Sequence, residues 1–198
     1  NGLHDDDHYV TARDMAKISK AALENETFRY VACKPNYYIA PTNKDKHGKE
    51  LWNHHKMVKR TMFNYDGVEG GKTGYTTKAG GTLVTFAKRG DQELIVVDLC
   101  AHGYELYEDT IKMLNYGFNN YKTIAPFKTM NTVLKDDTYG FLKTGNELSQ
   151  YKIPLKHLND VTVMLEKNQS ASKLTYKCKD NKYIISYDGK QIGSVKLH

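Results

Sequence analysis

Sixteen consecutive residues, Asp66-Gly67-Val68-Glu69-Gly70-Gly71-Lys72-Thr73-Gly74-Tyr75-Thr76-Thr77-Lys78-Ala79-Gly80-Gly81, set a cation, a hydroxyl and a bare backbone side by side within a frame of glycines. Those types suit recognition of a peptide's C-terminal end. Lys72 offers a positive charge and Thr73 a hydroxyl donor to a carboxylate. Gly74 lets a ligand backbone approach closely, and the edge of an extended segment can take up that ligand as an added strand. The three-residue pattern alone carries little information, because Lys143-Thr144-Gly145 repeats it without any glycine frame. A plain hairpin with an exposed lysine is the bland alternative.

Such a strand needs neighbours to hold it. Gly71 to Thr77, Thr82 to Lys88 and Glu93 to Cys100 alternate with period two and read as three antiparallel strands, with Arg89-Gly90-Asp91-Gln92 turning the second into the third. The Arg-Gly-Asp triplet there reads as a hairpin tip, not an adhesion motif. Thr11 to Leu23 reads as a helix, with Thr11 and Asp14 resembling a capping box. Its apolar stripe comprises Ala12, Met15, Ala16, Ile18 and Ala22. A turn-rich stretch follows around a short aromatic strand, Tyr37 to Ala40. A second helix, from about Glu105 to Asn120, shows Tyr107, Ile111, Leu114 and Phe118 on one face. Beyond it, short β-rich runs (Val161 to Leu165, Leu174 to Cys178, Tyr183 to Tyr187) alternate with polar turns such as Asp188-Gly189. The expected division is residues 1–122 and a small β-rich domain over 123–198.

The 198 residues are 39% hydrophobic and 26% charged, enough for one large domain or two small ones. No run approaches the roughly 18 to 20 apolar residues of a membrane span. The net charge of +6 suits anionic neighbours, but the positive residues form no single block. Zinc-finger spacing, an RNP-like segment and a basic helix are all missing, so no nucleic-acid partner is expected. Cys33, Cys100 and Cys178 are far apart and odd in number, which excludes a complete disulfide framework. Cys100, at the end of an apolar strand, reads as a small buried hydrophobe.

Three groups of residues attract attention without requiring chemistry. His4-Asp5-Asp6-Asp7-His8 has metal-ligand types, but a loop before a helix need not bring three or four ligands together. His54-His55 beside Trp52 reads as packing or surface. The fifteen tyrosines could stack on sugars or bases, yet their spread over strands reads as filling β surfaces.

The glycine-framed stretch resembles the third motif of penicillin-binding proteins and serine β-lactamases, which accompanies S-x-x-K and S-x-N. More of the chain is similar to the low-molecular-mass serine D-alanyl-D-alanine carboxypeptidases: Asn1-Gly2-Leu3, then His8-Tyr9-Val10-Thr11-Ala12-Arg13-Asp14-Met15-Ala16, Leu51-Trp52-Asn53, and Leu114-Asn115-Tyr116-Gly117-Phe118. The resemblance covers roughly residues 1–121. It implies an α/β (α+β) fold, part of the transpeptidase-like catalytic domain with an antiparallel sheet, followed by a small all-β domain. It also implies acyl transfer through a serine on peptidoglycan stem peptides ending in D-Ala-D-Ala, outside the bacterial cytoplasmic membrane, with β-lactams as ligands and no cofactor or metal. By position, Lys72 and Thr73 hold the terminal carboxylate, Gly74 lies within the site, and the Tyr75 N–H is one oxyanion donor, with Thr76 beside it on the substrate strand.

Two features depart from the family. No S-x-N occurs, and the two S-x-x-K matches, Ser149 to Lys152 and Ser170 to Lys173, follow Lys72 instead of preceding it. The segment Tyr104 to Asp109 also lacks the arginine that some relatives carry there. The chain begins Asn1-Gly2-Leu3 without methionine, so it is expected to be a processed or truncated piece whose nucleophile lies elsewhere. Alone it is expected to be inactive, and to self-associate or pair with the missing N-terminal part, with any membrane anchor outside it. The rival classes are a non-catalytic wall-binding scaffold and a serine β-lactamase. Upstream S-x-x-K and S-x-N motifs would decide between enzyme and scaffold.

Overall fold

The computed structural model describes residues 3–58, 62–128, 132–134, 139–144, 147–148, 153–154, 161–180 and 182–196. The chain divides into two compact units, residues 1–118 and 119–198.

In the first unit, a three-stranded antiparallel sheet in the order β3-β4-β5 lies between helices. Its strands are β3 (Val68–Thr76), β4 (Gly80–Arg89) and β5 (Gln92–Ala101). Alternation along β4 sorts the two faces. Val84 and Phe86 pack with Leu23, Met15 and Ala32 from α1 (Ala12–Leu23) and α2 (Glu26–Ala32). Leu83 and Ala87 pack with Tyr107, Leu114 and Phe118 from α3 (Glu105–Asn120). The β4–β5 turn is Gly90-Asp91, with Gly90 at φ +57°.

Helix α1 is capped by Thr11, whose hydroxyl oxygen accepts the Asp14 N–H at 3.1 Å. The Asp14 carboxylate in turn accepts the Thr11 hydroxyl proton at 2.7 Å. The stripe expectation is corrected at two positions, Ala12 and Ile18, both of which are exposed. Ile18 is 57% exposed and Ser19 is buried, because the face toward the sheet runs through Met15, Ser19, Ala22 and Leu23.

Helix α2, absent from the sequence expectation, starts at Asn25, whose side chain accepts the Phe28 N–H at 2.9 Å. The aromatic strand is β1 (Asn36–Ile39), and it pairs antiparallel with β2 (Lys49–Trp52) in a two-stranded ribbon. Cys100 is not buried. It is the extra residue of a bulge, since Gly81 pairs with Ala101 and Thr82 with Leu99, and at φ +64° its side chain is turned into solvent.

The second unit is β-rich. Here β6 (Tyr121–Ile124) pairs with β11 (Val163–Glu166), and β12 (Leu174–Lys179), β13 (Lys182–Tyr187) and β14 (Lys190–Lys196) form an antiparallel sheet. The short strands β7 (Thr132–Leu134), β9 (Glu147–Leu148) and β10 (Ile153–Pro154) surround β8 (Tyr139–Thr144). Phe127, Val163, Leu165, Leu174, Tyr183 and Ile185 make the core. Asp188 and Gly189 turn β13 into β14 with both φ values positive, as a two-residue hairpin turn prefers.

Candidate active site

Strand β3 is an edge strand: it pairs with β4, and no strand lies on its other side among the described residues. In its register Lys72 lies opposite Val84, Thr73 opposite Leu83, Gly74 opposite Thr82 and Tyr75 opposite Gly81. Successive residues of a strand project to opposite faces. Lys72 therefore shares the α1–α2 face with Val84, and Thr73 shares the α3 face with Leu83, so the two polar groups flank the open edge from both sides.

The glycine frame explains itself sterically. A Cβ at Gly70 would stand 2.7 Å from the Ala32 carbonyl oxygen and 2.8 Å from Cys33 Cα. At Gly71 it would collide with the Val84 carbonyl oxygen and lie 2.7 Å from His55 Cδ2. The pair thus admits the end of α2 on one face and the His55 ring on the other. At Gly74 a Cβ would meet only the Thr82 side chain, with Oγ1 at 2.5 Å.

His55 is fully buried, its Nε2 lies 2.9 Å from the Thr85 hydroxyl, and its ring meets Tyr107 edge-on at 5.9 Å. Burial pushes its pKa down to about 4, so the imidazole is neutral at pH 7. Its backbone N–H donates to Asn53 Oδ1 at 2.9 Å, and Asn53 Nδ2 donates to the carbonyls of Ala32 and Lys34. Arg29 is a second brace, with Nη1 2.8 Å from Glu69 and Nη2 2.5 Å from Glu93. Glu69 is the bulged residue ahead of the glycine pair, so α2 is tied to both edge strands of the sheet.

Among the residues expected at the site, Lys72 is exposed and its ammonium donates to the Thr73 carbonyl oxygen. Thr73 is half-buried and Tyr75 is 76% exposed. The Thr76 hydroxyl accepts the Ala79 N–H at 3.0 Å and so shapes the hairpin turn. Lys72 to Thr76 are brought together on one strand. The second copy is not part of it: Lys143 and Thr144 belong to β8 in the second unit, and Gly145 lies outside the described residues.

The decoys resolve into structural parts. Asp6 accepts from Lys78 at 2.6 Å and lies 2.9 Å from His4 Nε2, pinning the N-terminal loop to the tip of the β3–β4 hairpin. Among the described residues no group of three metal-ligating side chains converges. Ser170 caps a 3₁₀ turn and its hydroxyl meets Ser172 at 2.8 Å, while Lys173 lies 4.0 Å from Asp188. Ser149 to Lys152, and Asn1-Gly2, lie outside the described residues. At the arginine-free start of α3, the Tyr104 ring packs at a tilt against Phe63, with centres 5.3 Å apart, and Lys56 Nζ sits 4.0 Å from the Tyr104 ring centre. The sequence reading named His55 only together with His54, as packing or surface, and packing is what the structure shows for it; Arg29 and the Asp6–Lys78 contact were missed. A lone glutamate ahead of paired glycines was the available hint for Arg29; nothing local distinguishes His55 from His54.

The sequence profile of the D-alanyl-D-alanine carboxypeptidase family matches residues 1–103. The chain is similar to D-alanyl-D-alanine carboxypeptidase DacF of Bacillus subtilis, 29% identical over 99% of this chain and 48% of that protein. It is also similar to DacC of Escherichia coli, 32% identical over 65% of this chain and 30% of that protein. Penicillin binding protein 5 from Haemophilus influenzae shares the fold, with a TM-score of 0.63 and 24% identity over 99% of this chain and 57% of that structure. A mutant of the Streptomyces K15 DD-transpeptidase gives a TM-score of 0.54 and 29% identity over 60% of this chain and 46% of its own. The chain spans about half the length, or less, of these curated relatives. Among the described residues no helix is long and apolar enough to cross a membrane. With its glycine-framed edge strand in an α+β fold of the penicillin-binding type, this chain belongs to the D-alanyl-D-alanine carboxypeptidase family.

Proposed function

We propose that this chain supplies the carboxylate-binding strand of a serine D-alanyl-D-alanine carboxypeptidase that trims peptidoglycan stem peptides outside the cytoplasmic membrane. The observation that carries the reading is the open edge of β3, with Lys72, Thr73 and Gly74 on consecutive positions inside the family-matched segment.

The end of the stem peptide lies along that edge as an added strand, with Gly74 offering no side chain against it. Lys72 and Thr73 receive the terminal carboxylate. The serine oxygen bonds to the penultimate D-alanine carbonyl carbon, and the Tyr75 N–H and the nucleophile's own N–H hold the oxyanion. The C–N bond then breaks, the serine proton passes to the departing amine, and water hydrolyses the ester. A β-lactam occupies the same edge. Thr76 acts through its backbone, its hydroxyl being engaged in the turn. On this reading the nucleophile lies outside residues 1–198: both S-x-x-K matches follow Lys72 in the sequence, and Ser170 faces Ser172 in a 3₁₀ turn of the second unit.

Covalent labelling with a fluorescent penicillin, followed by peptide mapping, tests this reading. The 198-residue chain is expected to remain unlabelled, and a longer protein carrying an upstream S-x-x-K is expected to label there and release D-alanine. Stoichiometric label on Ser149 or Ser170, or a longer protein that releases no D-alanine, would overturn it.

A further inference from the structure

Three aromatic side chains that the family reading leaves unused converge on one groove. Tyr30 from α2, Tyr37 from β1 and Trp52 from β2 are 63%, 56% and 53% exposed, and they line a depression of about 450 Å³. Solvent-exposed rings gathered in a concavity are uncommon on a surface with no ligand to meet. Lys34 Nζ stands 4.3 Å from the Tyr30 ring centre and 5.9 Å from that of Tyr37, which puts a cation between two of the rings. Asn53, bonded to the Ala32 and Lys34 carbonyls, fixes the end of α2 against the ribbon, so the rings sit on a braced frame.

The groove does not end there. A neighbouring depression of about 420 Å³ contains Gly71, Lys72 and Thr73, and the two share Val31, Trp52 and Asn53. One trough therefore runs from the carboxylate-binding strand past Trp52 to Tyr37.

We propose that the aromatic end of this trough is a saccharide subsite that takes an N-acetylated hexosamine unit of the glycan whose stem peptide reaches Lys72 and Thr73. A pyranose presents a flat face of C–H groups, made slightly positive by the neighbouring oxygens, and this face packs on the negative face of an aromatic ring. Its hydroxyl and amide groups stay at the rim, where Lys34 and Asn36 offer polar partners. Continuity decides between occupants, because a polymer engaged at Thr73 by its peptide carries sugars on the same molecule. In that respect the inference rests on the proposed function.

Trp52 is the single tryptophan of the chain, so its emission reports the groove directly. The experiment titrates the 198-residue chain with the tetrasaccharide of N-acetylglucosamine. The expected result is a saturable change in Trp52 emission, weakened about 3- to 10-fold by Tyr37→Ala, as loss of one aromatic stack implies. Tyr30→Ala, on a different element, is expected to weaken it similarly, which separates lost stacking from local unfolding of the ribbon. The inference is overturned by an unchanged emission, by a response only to a sugar-free peptide ending in D-Ala-D-Ala, or by a change on concentrating the chain alone, which would make the groove an interface between copies. Penicillin labelling and D-alanine release report on the acyl-transfer chemistry and the titration reports on the groove, so failure of either reading is seen separately.

Discussion

Nε2 of His55 lies 2.9 Å from the hydroxyl of Thr85, with both side chains fully buried beneath the strand that carries Lys72 and Thr73. The contact joins the loop after Trp52 to the middle of the sheet, and the ring fills the space that Gly71 leaves open. The same imidazole makes the first unit acid-sensitive. Burial lowers its pKa from 6.5 to about 4.

When the chain unfolds, that ring takes up a proton near pH 6.5. Between about pH 6.5 and pH 4 the unfolded state therefore binds more protons, and acid favours unfolding. The contribution is full above the unfolded pKa and falls by up to about 3 kcal/mol as pH drops to 4. Urea unfolding at pH 7 and pH 4.5 is expected to show a larger acid loss for the natural chain than for His55→Asn. Equal losses would assign the sensitivity to other groups.

The two glycines flanking Lys72 and Thr73 are predicted to behave differently. Gly71→Ala drives a methyl group into backbone and a buried ring, neither of which can swing away, at a cost of about 1 to 3 kcal/mol or more. Gly74→Ala meets only the Thr82 hydroxyl, which can rotate, so its effect on stability is expected to stay below about 1 kcal/mol. Thermal melts of both variants check this. In the active enzyme Gly74→Ala is expected to raise KM, because its methyl group stands where the substrate strand approaches.

Removing the carboxylate partners tests the site itself in the longer protein. A hydrogen bond to a charged group is worth about 1.5 to 3 kcal/mol, so Thr73→Ala is expected to lower kcat/KM by roughly 10- to 200-fold. Lys72→Ala is expected to cost at least as much, since its charge also acts on the transition state. Lys143→Ala and Thr144→Ala, in the second unit, are expected to leave D-alanine release nearly unchanged. Full activity in Lys72→Ala, or equal losses at both copies, would remove β3 as the carboxylate site.

Arg29 bridges Glu69 and Glu93 with the two ends of one guanidinium, a geometry that lysine cannot copy. All three side chains are about a third exposed, so solvent screens the pairs and the loss in Arg29→Lys is expected to be about 1 kcal/mol. The difference from the natural chain should shrink near 1 M salt, where screening acts within about 3 Å. A difference that grows with salt would point to packing rather than charge.

What the sequence determined by itself was everything carried by short-range pattern. Alternation marked three strands between Gly71 and Cys100, Arg89 to Gln92 marked the turn between the second and third, Asp188-Gly189 marked a turn in the β-rich part, and Thr11 marked the start of α1, because each depends only on residues a few positions apart. The glycine frame around Lys72-Thr73-Gly74 was equally visible. Tertiary structure decided the rest. Helix α2 is seven residues long with no fully buried side chain, too short for a period to show, and it persists through Asn25 and the distant glutamates of Arg29. Cys100 ends an apolar run yet faces solvent, since a bulge set by its pairing with β4 reverses the alternation. His54 and His55 are chemically identical neighbours, and only the sheet packed over the second makes it a neutral, buried brace. Tyr30, Tyr37 and Trp52 lie on three elements spread over more than twenty positions; they become one groove because α2 and the β1–β2 ribbon are fastened together through Asn53, a relationship that no local spacing encodes.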